Sequence, residues 1–324
     1  MRRTIPKMLT IALTTLRTNP RFDLFADSLA PQLNDSTEVL VIDGQLWYMK
    51  DRVQQLAEAV RNRFSYRHLP PKPTLWQGPH RVTSMDYWDA CSARNTAFAF
   101  ASGTQIAFVD DCMVIGDGFV EWHQRAARDG VALAGRYQSV RSETLDHQGL
   151  DSDSRYLISG EPPSAVPCSG AWLFGMNMSV PLYYALKTNG YDEKFSGQGG
   201  SEDCDFGVRI ERSGCKVLYS AGTVVYQVMS THEAVCNYVG GDSIKTGRNP
   251  AARPKELRLN YDGKFHFANE KLIEVLNGQP ERYWSVGNCF TLSALRSLAR
   301  RGFPLPVPHE PKIDWRDGQL LTDM

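Results

Sequence analysis

Paired cysteines, a one-sided charge and long apolar runs are all missing from this 324-residue chain. Its seven cysteines (Cys91, Cys112, Cys168, Cys204, Cys215, Cys236 and Cys289) are odd in number, scattered and never spaced as Cys-x-x-Cys. That excludes a disulfide framework and a zinc site, and reduced thiols in a cytoplasmic protein are the expectation. Lys plus Arg equals Asp plus Glu at 36 each, so no whole-chain field selects nucleic acid or a membrane surface. No stretch is apolar for long enough to span a bilayer. The opening MRRTIPKMLTIALTTLR places two arginines before an apolar run, as a leader would. Arg17 and Asn19-Pro20 then follow without a small-residue cleavage site, so the run reads as a first buried strand. No internal repeat is present.

What the chain does have is an uneven charge pattern. Lys/Arg and Asp/Glu number 13 and 9 over residues 1–100, 10 and 18 over 101–244, and 11 and 5 over 245–301. An acidic middle suits the uptake of a divalent cation, and basic flanks suit a phosphorylated or polyanionic ligand. The length accommodates one large or two small domains with a sizeable core.

Hydrophobic periodicity predicts strands at 8–15 and 37–43 with a helix around 21–33 between them, then a helix at 51–64. A proline-marked turn at 69–73, a short strand near 74–77, a helix at 87–103 and a strand at 104–111 follow. Strand, helix, strand in repetition implies an α/β fold around a mainly parallel sheet, whose ligands lie beyond the carboxyl ends of the strands. The polar residues at those ends are Thr14, Thr15 and Arg17, then Asp43, then Asp110 and Asp111. Further along, a strand at 131–137 precedes a polar loop at 139–165 and the segment SGAWLFGMNMSV at 169–180. Strands at 215–220 and 223–229, a Gly-, Pro- and Lys/Arg-rich lid or linker at 240–264, helices near 268–277 and 289–301 and an extended tail from Pro304 complete the expectation.

Two carboxylate motifs stand out. FVDDC at 108–112 ends a buried strand, and FSGQGGSEDCDFGVRI at 195–210 carries Glu202, Asp203 and Asp205 from a glycine-rich turn into an amphipathic helix. The second motif taken alone also reads as a plain helix start, with Ser201 as N-cap and acids in the first turn favoured by the helix dipole. Two carboxylate sites in one α/β chain instead suggest a metal site plus a base.

Together these segments resemble the GT-A glycosyltransferases, with inverting family-2-like enzymes and the β-1,4-galactosyltransferase group nearest. The resemblance covers roughly residues 8–232. It rests on ARNTA at 93–97, on the acidic pair at the place of a DxD motif, and on Gly-Gly followed by Glu-Asp in GYDEKFSGQGGSEDCDFGVRIERSGCKV at 190–217. It implies a Rossmann-like nucleotide-binding half (about 1–115) fused to an acceptor half (about 116–239), a lid or linker (240–264) and a helical extension with a tail (265–324). The implied reaction is inverting transfer from a nucleotide-sugar donor, expected to be a UDP-sugar, to a hydroxyl of a glycan or small molecule.

On this resemblance Asp203 is the general base and Glu202 its rival. Asp111 with His232 and Met229 forms a partial shell for Mn²⁺ or Mg²⁺, and the histidine and thioether favour Mn²⁺. Asp110 reaches the ribose or a metal-bound water, Arg94 or Arg17 meets phosphate, and Thr14 and Thr15 line the donor site. Asp43 occupies the place that reads the nucleobase, or else is simply the Asp of an Asp-Gly turn. Asn177, Trp172 and Gln198 fall on the acceptor side. The departures are Val109-Asp110-Asp111-Cys112 in place of Asp-x-Asp, and a loop interrupted by Gln198 and Ser201, so sugar selectivity does not carry over.

Other readings stay open. Residues 59–85 hold no acid but carry Arg61, Arg63, Arg67, Lys72 and Arg81 among Phe64, Tyr66, Trp76, His68 and His80. With the basic 245–258 stretch this allows DNA with a hydroxylated, flipped-out base as acceptor, or equally a solvated helix face followed by a strand edge. A non-catalytic sugar-nucleotide or glycan-binding protein on the same fold is the reading of another class. A nucleotidyltransferase is disfavoured because TTLRTNPR at 14–21 holds no glycine.

Overall fold

Alternating burial in the first strand sets the layers of the molecule. Along β1 (Leu9–Thr15), Leu9, Ile11 and Leu13 point into one apolar core and Ala12 into another on the opposite face. A strand buried on both faces is what a sheet covered by helices on each side requires. The computed structural model describes residues 8–72, 74, 89–140, 164–193, 202–228 and 292–302. Expectations for 141–163, 194–201, 240–264, 268–277 and 304–324 lie outside these residues.

β1 is flanked in parallel by β2 (Thr37–Asp43) and β4 (Gln105–Asp110), and β2 by the short β3 (Arg67–Leu69). Beyond β4 the sheet continues through β8 (Met178–Pro181), β6 (Ala132–Val140), β9 (Val217–Val228) and β5 (Met113–Ile115), with the two-residue β7 (Val166–Pro167) pairing β9. The long ladders are parallel, including β6 against β9, while β8, β5 and β7 run antiparallel to their neighbours. The α/β, mainly parallel sheet implied by the sequence is therefore present. One sheet carries both the amino-terminal strands and the acidic middle of the chain.

One core lies between the sheet and α1 (Phe22–Leu29), α2 (Arg52–Val60) and α4 (Phe119–Asp129). The other lies beneath α3 (Ala90–Phe100), α5 (Leu182–Lys187), α6 (Glu202–Arg212) and α7 (Leu292–Arg300). α3 is almost wholly buried because its alanines let it lie flat on the sheet. α7 fastens across it: Arg296 Nη1 donates to the Phe98 carbonyl at 2.8 Å, and the Leu292 amide to Asn189 Oδ1 at 2.7 Å.

A short strand not expected from the sequence, Arg67–Leu69, stands before the prolines at 70–71; Thr74 is not in a strand, and the rest of the strand expected near 74–77 lies outside the described residues. Proline lacks the N–H a ladder needs, so the pair terminates β3. The two strands expected at 215–220 and 223–229 are corrected to one, Val217–Val228, kinked where Ala221, Gly222 and Thr223 drop out of the ladder with β6; Met229 lies outside the described residues.

Candidate functional site

Because β1, β2, β4, β6 and β9 run in one direction, their carboxyl ends share one edge. In register, Thr14 lies beside Asp110 and Thr15 beside Asp43. Thr15 Oγ1 donates to Asp111 Oδ2 at 2.6 Å, and Thr14 Oγ1 to Asp110 Oδ1 at 3.3 Å. Arg17 Nε meets the other Asp111 oxygen at 2.8 Å. The two threonines expected to line the donor site thus hold the acidic pair in place from the neighbouring strand. Cys112 follows in the left-handed region (φ 56°); its amide donates to the Pro20 carbonyl, and its carbonyl accepts from the Val228 amide. That pairing brings the end of β9 alongside the acids.

The second acidic motif reaches the same edge through α6. Its residues Glu202, Asp205, Phe206, Arg209 and Ile210 are buried, and the helix settles against the turn at Gly170–Trp172. A Cβ at Gly207 would collide with the Gly170 carbonyl, so the approach needs glycine at this position. Asp205 holds Arg209 at 2.8 Å, and Arg209 in turn donates to the carbonyls of Thr188 and Gly190. The helix start is thereby fixed to the segment that carries Tyr191.

Arg94 of α3 joins the two motifs. Its Nη1 lies 2.6 Å from Asp203 Oδ1 and 3.4 Å from Glu202 Oε1, and its Nη2 lies 3.6 Å from Asp110 Oδ1. The guanidinium, 3 % exposed, also sits over the Tyr191 ring at 5.2 Å. Tyr191 stacks on Phe206 and donates its hydroxyl to Asp203 Oδ1 at 3.1 Å. Asp203 Oδ2 accepts from the Gly175 amide at 3.1 Å, and a Cβ at Gly175 would collide with the guanidinium.

Electrostatics follow from this crowding. Burial pushes Asp110 up to about 6 against the pull of Arg94, and pushes Glu202 up to about 7 with Asp203 adding repulsion. Burial opposes the charge on Arg94, but Asp203 and its neighbours outweigh it and its pKa is raised. Burial and Asp203 likewise keep Tyr191 protonated far above its ordinary range. Four carboxylates against the guanidiniums of Arg17 and Arg94 leave the cluster short of positive charge.

Asp43 has no exposed surface. Its carboxylate accepts from Arg52 Nε at 2.6 Å and the Gln45 amide at 2.9 Å, and lies 2.9 Å from His68 Nε2. Arg52 passes the constraint on by donating to the carbonyls of Arg17 and Thr18, which shapes the loop after β1. Through Arg52, Asp43 is thus tied to the loop after β1.

Asn177, expected on the acceptor side, lies at the head of β8. It is 2 % exposed, its amide nitrogen donates to the Arg136 and Thr223 carbonyls, and its oxygen lies 3.2 Å from His123 Nε2. Trp172 is half-buried edge-on to Tyr219, at the turn that α6 covers. Gln198, Ser201, Met229 and His232 lie outside the described residues. Among the described residues no group of three or more His, Cys, Asp or Glu forms a metal cluster, and no helix is long and apolar enough to cross a membrane. Among the described residues, Cys91, Cys112, Cys168, Cys204 and Cys215 form no disulfide.

Sequence reasoning missed Tyr191, Gly175, Arg52 and the buried pair of Lys72 with Glu193 at 2.9 Å. A signal existed for Tyr191, which opens the Tyr-Asp-Glu that precedes the glycine-rich loop. None existed for Arg52, a basic residue in an amphipathic helix, nor for Gly175, whose need arises only where Arg94 arrives.

No family model matches this chain, and no curated protein sequence matches it. Solved structures with some likeness include S. aureus TarS 1–349, at 14% identity and TM-score 0.49, over 68% of this chain and 60% of that one. The crystal structure of S. aureus TarS 1–349 in complex with UDP-GlcNAc gives 14% identity and TM-score 0.47, over 68% and 58%. GalNAc-T7 with UDP, GalNAc and Mn²⁺ gives 9% identity and TM-score 0.49, over 88% and 51%. The match thus spans about three fifths or less of those chains' length.

Proposed function

We propose that this chain is a glycosyltransferase that moves a sugar from a nucleotide-sugar donor to an acceptor hydroxyl, with inversion. The observation that supports it is Arg94 drawing the β4 acid Asp110 and the α6 acids Glu202 and Asp203 into one cluster at the carboxyl edge of a mainly parallel sheet. Such an edge is where α/β sheets bind nucleotides.

In this reading the diphosphate of the donor meets Arg17 at the end of β1, where a guanidinium makes charge-assisted contacts to phosphate. A Mn²⁺ or Mg²⁺ ion suits the shortage of positive charge in the cluster. Asp111, with Asp110 beside it, would hold the ion through few protein oxygens, and His232 and Met229 complete the proposed shell. When bound, such an ion would stabilise charge on the leaving diphosphate. The α6 carboxylates take the proton from the acceptor hydroxyl as its oxygen attacks the anomeric carbon opposite the leaving phosphate. One displacement of this kind inverts the configuration and needs no covalent nucleophile.

The donor is proposed to be a UDP-sugar and the acceptor a glycan or small molecule. Nothing in the described residues favours DNA: Arg63 pairs with Asp27 and Arg67 with Glu38, which offsets charge on that edge.

Thermal stability against a panel of nucleoside diphosphates, with Mn²⁺ and with chelator, tests the reading. A ligand that binds only the native state raises Tm. Stabilisation by one nucleotide that needs the metal is expected. No shift with any nucleotide would leave the acids as helix caps and turns and return the protein to the non-catalytic reading.

A further inference from the structure

Side chains that carry no motif form one buried line into the site. Lys72 Nζ donates to Glu193 Oε2 at 2.9 Å, and Asn95 Nδ2 donates to Glu193 Oε1 at 3.2 Å. Asn95 also clasps the backbone of Tyr191: its Nδ2 donates to the carbonyl at 3.0 Å, and its Oδ1 accepts from the amide at 2.8 Å. The Tyr191 hydroxyl then reaches Asp203 Oδ1 at 3.1 Å, while its ring lies stacked on Phe206. Lys72, Glu193, Asn95 and Tyr191 are all buried. The fit at Asn95 is close. A Cβ at Gly190, where φ is +70°, would collide with Asn95 Oδ1, so glycine is needed beside the clasp.

We propose that the Lys72–Glu193 pair is a positioning device for Asp203: it fixes the Asn95 amide, which places Tyr191 and, through its hydroxyl, the Asp203 carboxylate. This rests on the glycosyl-transfer reading above, to which it adds residues that act through others.

Stability alone gives a poor reason for the pair. Desolvation of two charges offsets most of their attraction, and apolar residues of similar volume often do as well. Nor is the ammonium needed to hold Lys72 in place. Its amide donates to Thr96 Oγ1 at 2.7 Å and its carbonyl accepts from Ser92 Oγ at 2.6 Å, both on α3. What the charge acts on is Glu193. Burial pushes the Glu193 carboxyl up and the Lys72 ammonium pulls it back, with Asp89 a smaller push upward. An ionised Glu193 only accepts, so it admits the NH₂ end of the Asn95 amide and repels the oxygen end. The amide is thereby held the one way round that matches the carbonyl and N–H of Tyr191. A flipped amide would set donor against donor and acceptor against acceptor. Asn95 stands next to Arg94 on α3, so one turn of helix sets both partners of Asp203 Oδ1.

The test uses full-length protein, Mn²⁺ and a panel of UDP-, GDP-, TDP- and ADP-sugars, measuring nucleoside diphosphate release with water or added glycans as acceptor. Lys72→Met and Glu193→Met each leave one buried charge alone and should lower Tm. The double variant replaces the pair by apolar side chains of similar reach and should regain Tm. Its kcat should nonetheless stay about 10²-fold below wild type, the scale of a displacement of about 1 Å, with the donor KM unchanged. Tyr191→Phe keeps the ring on Phe206 and removes the hydroxyl. It should lower kcat in wild type and add little in the double variant, because both changes act on one carboxylate. A double variant with wild-type kcat would overturn the proposal and leave the transferase reading intact. So would a Tyr191→Phe loss that multiplies undiminished onto the double variant. Wild-type kcat in Tyr191→Phe itself overturns it whatever becomes of the pair variants. If wild type neither binds nor turns over any of the donors, the transferase reading falls and takes the positioning role with it.

Discussion

Arg94 holds the carboxylate of Asp203 at 2.6 Å across 109 positions of sequence. That contact ties the helix over the first half of the sheet to the helix that carries the second acidic motif. It also leaves Arg94 buried among three acids. Removing one partner of a buried ion pair leaves uncompensated charge, at a cost of about 3–5 kcal/mol. Arg94→Ala should therefore destabilise the protein by that order in urea denaturation. A loss below about 1 kcal/mol would mean that the acids are as well solvated without it.

Thr15 reaches Asp111 at 2.6 Å from the neighbouring strand. Thr15→Val keeps the shape of the side chain and removes the donor, so Asp111 should keep only its Arg17 contact. Metal-dependent nucleotide binding should weaken several-fold, and Asp111→Ala should abolish the metal dependence. Unchanged manganese dependence in Asp111→Ala would remove Asp111 from the proposed shell.

Gly207 lies where α6 crosses the Gly170 carbonyl, and a methyl group there has nowhere to go. Gly207→Ala should cost about 1–3 kcal/mol, as overpacking does, despite alanine's better helix propensity. Thermal unfolding reads this directly, and a stabilised variant would show that the turn yields.

Glu202 and His123 should bend stability against pH in opposite directions. Burial raises Glu202 from 4.5 to about 7, so the folded protein keeps a proton that the unfolded chain releases. Its contribution is complete below the ordinary glutamate value and is lost as pH rises from 4.5 to 7. Glu202→Gln should remove this fall and raise Tm at pH 8 by several degrees. Burial lowers His123 from 6.5 to about 4, so the unfolded chain protonates first and stability is lost as pH drops through that window. His123→Gln should flatten the acid side of the curve, while lowering Tm at pH 8 because Ser179 and Asn177 lose their 2.8 Å and 3.2 Å partner. Parallel curves for wild type and both variants would contradict these environments.

Much of the fold was legible because strand and helix periods are local properties. The run MLTIALTT could only be buried on both faces, and TQIAFVDD had to end on its acids. The errors arose where a local pattern met a nonlocal constraint. Arg67–Leu69 was not expected as a strand, because its three residues carry no period and become one only by pairing with β2. The bulge in β9 exists because β6 runs past it, and β6 lies some eighty residues upstream. The burial of Asn177 was not legible either, since it comes from the Arg136 and Thr223 carbonyls that its amide meets across the sheet.

The sequence by itself determined that this chain forms an α/β sheet with carboxylates at strand and helix ends, since hydrophobic period and charge placement need no partner to be read. It also singled out Asp110, Asp111, Glu202 and Asp203 as candidates. Only the tertiary structure decided which groups each of them meets. Hydrogen-bond saturation, burial and the position of a shared guanidinium are relations between distant segments. Those relations set Asp203 against Arg94 and the Gly175 amide, bury Glu202 beside it, and hold Asp43 on Arg52.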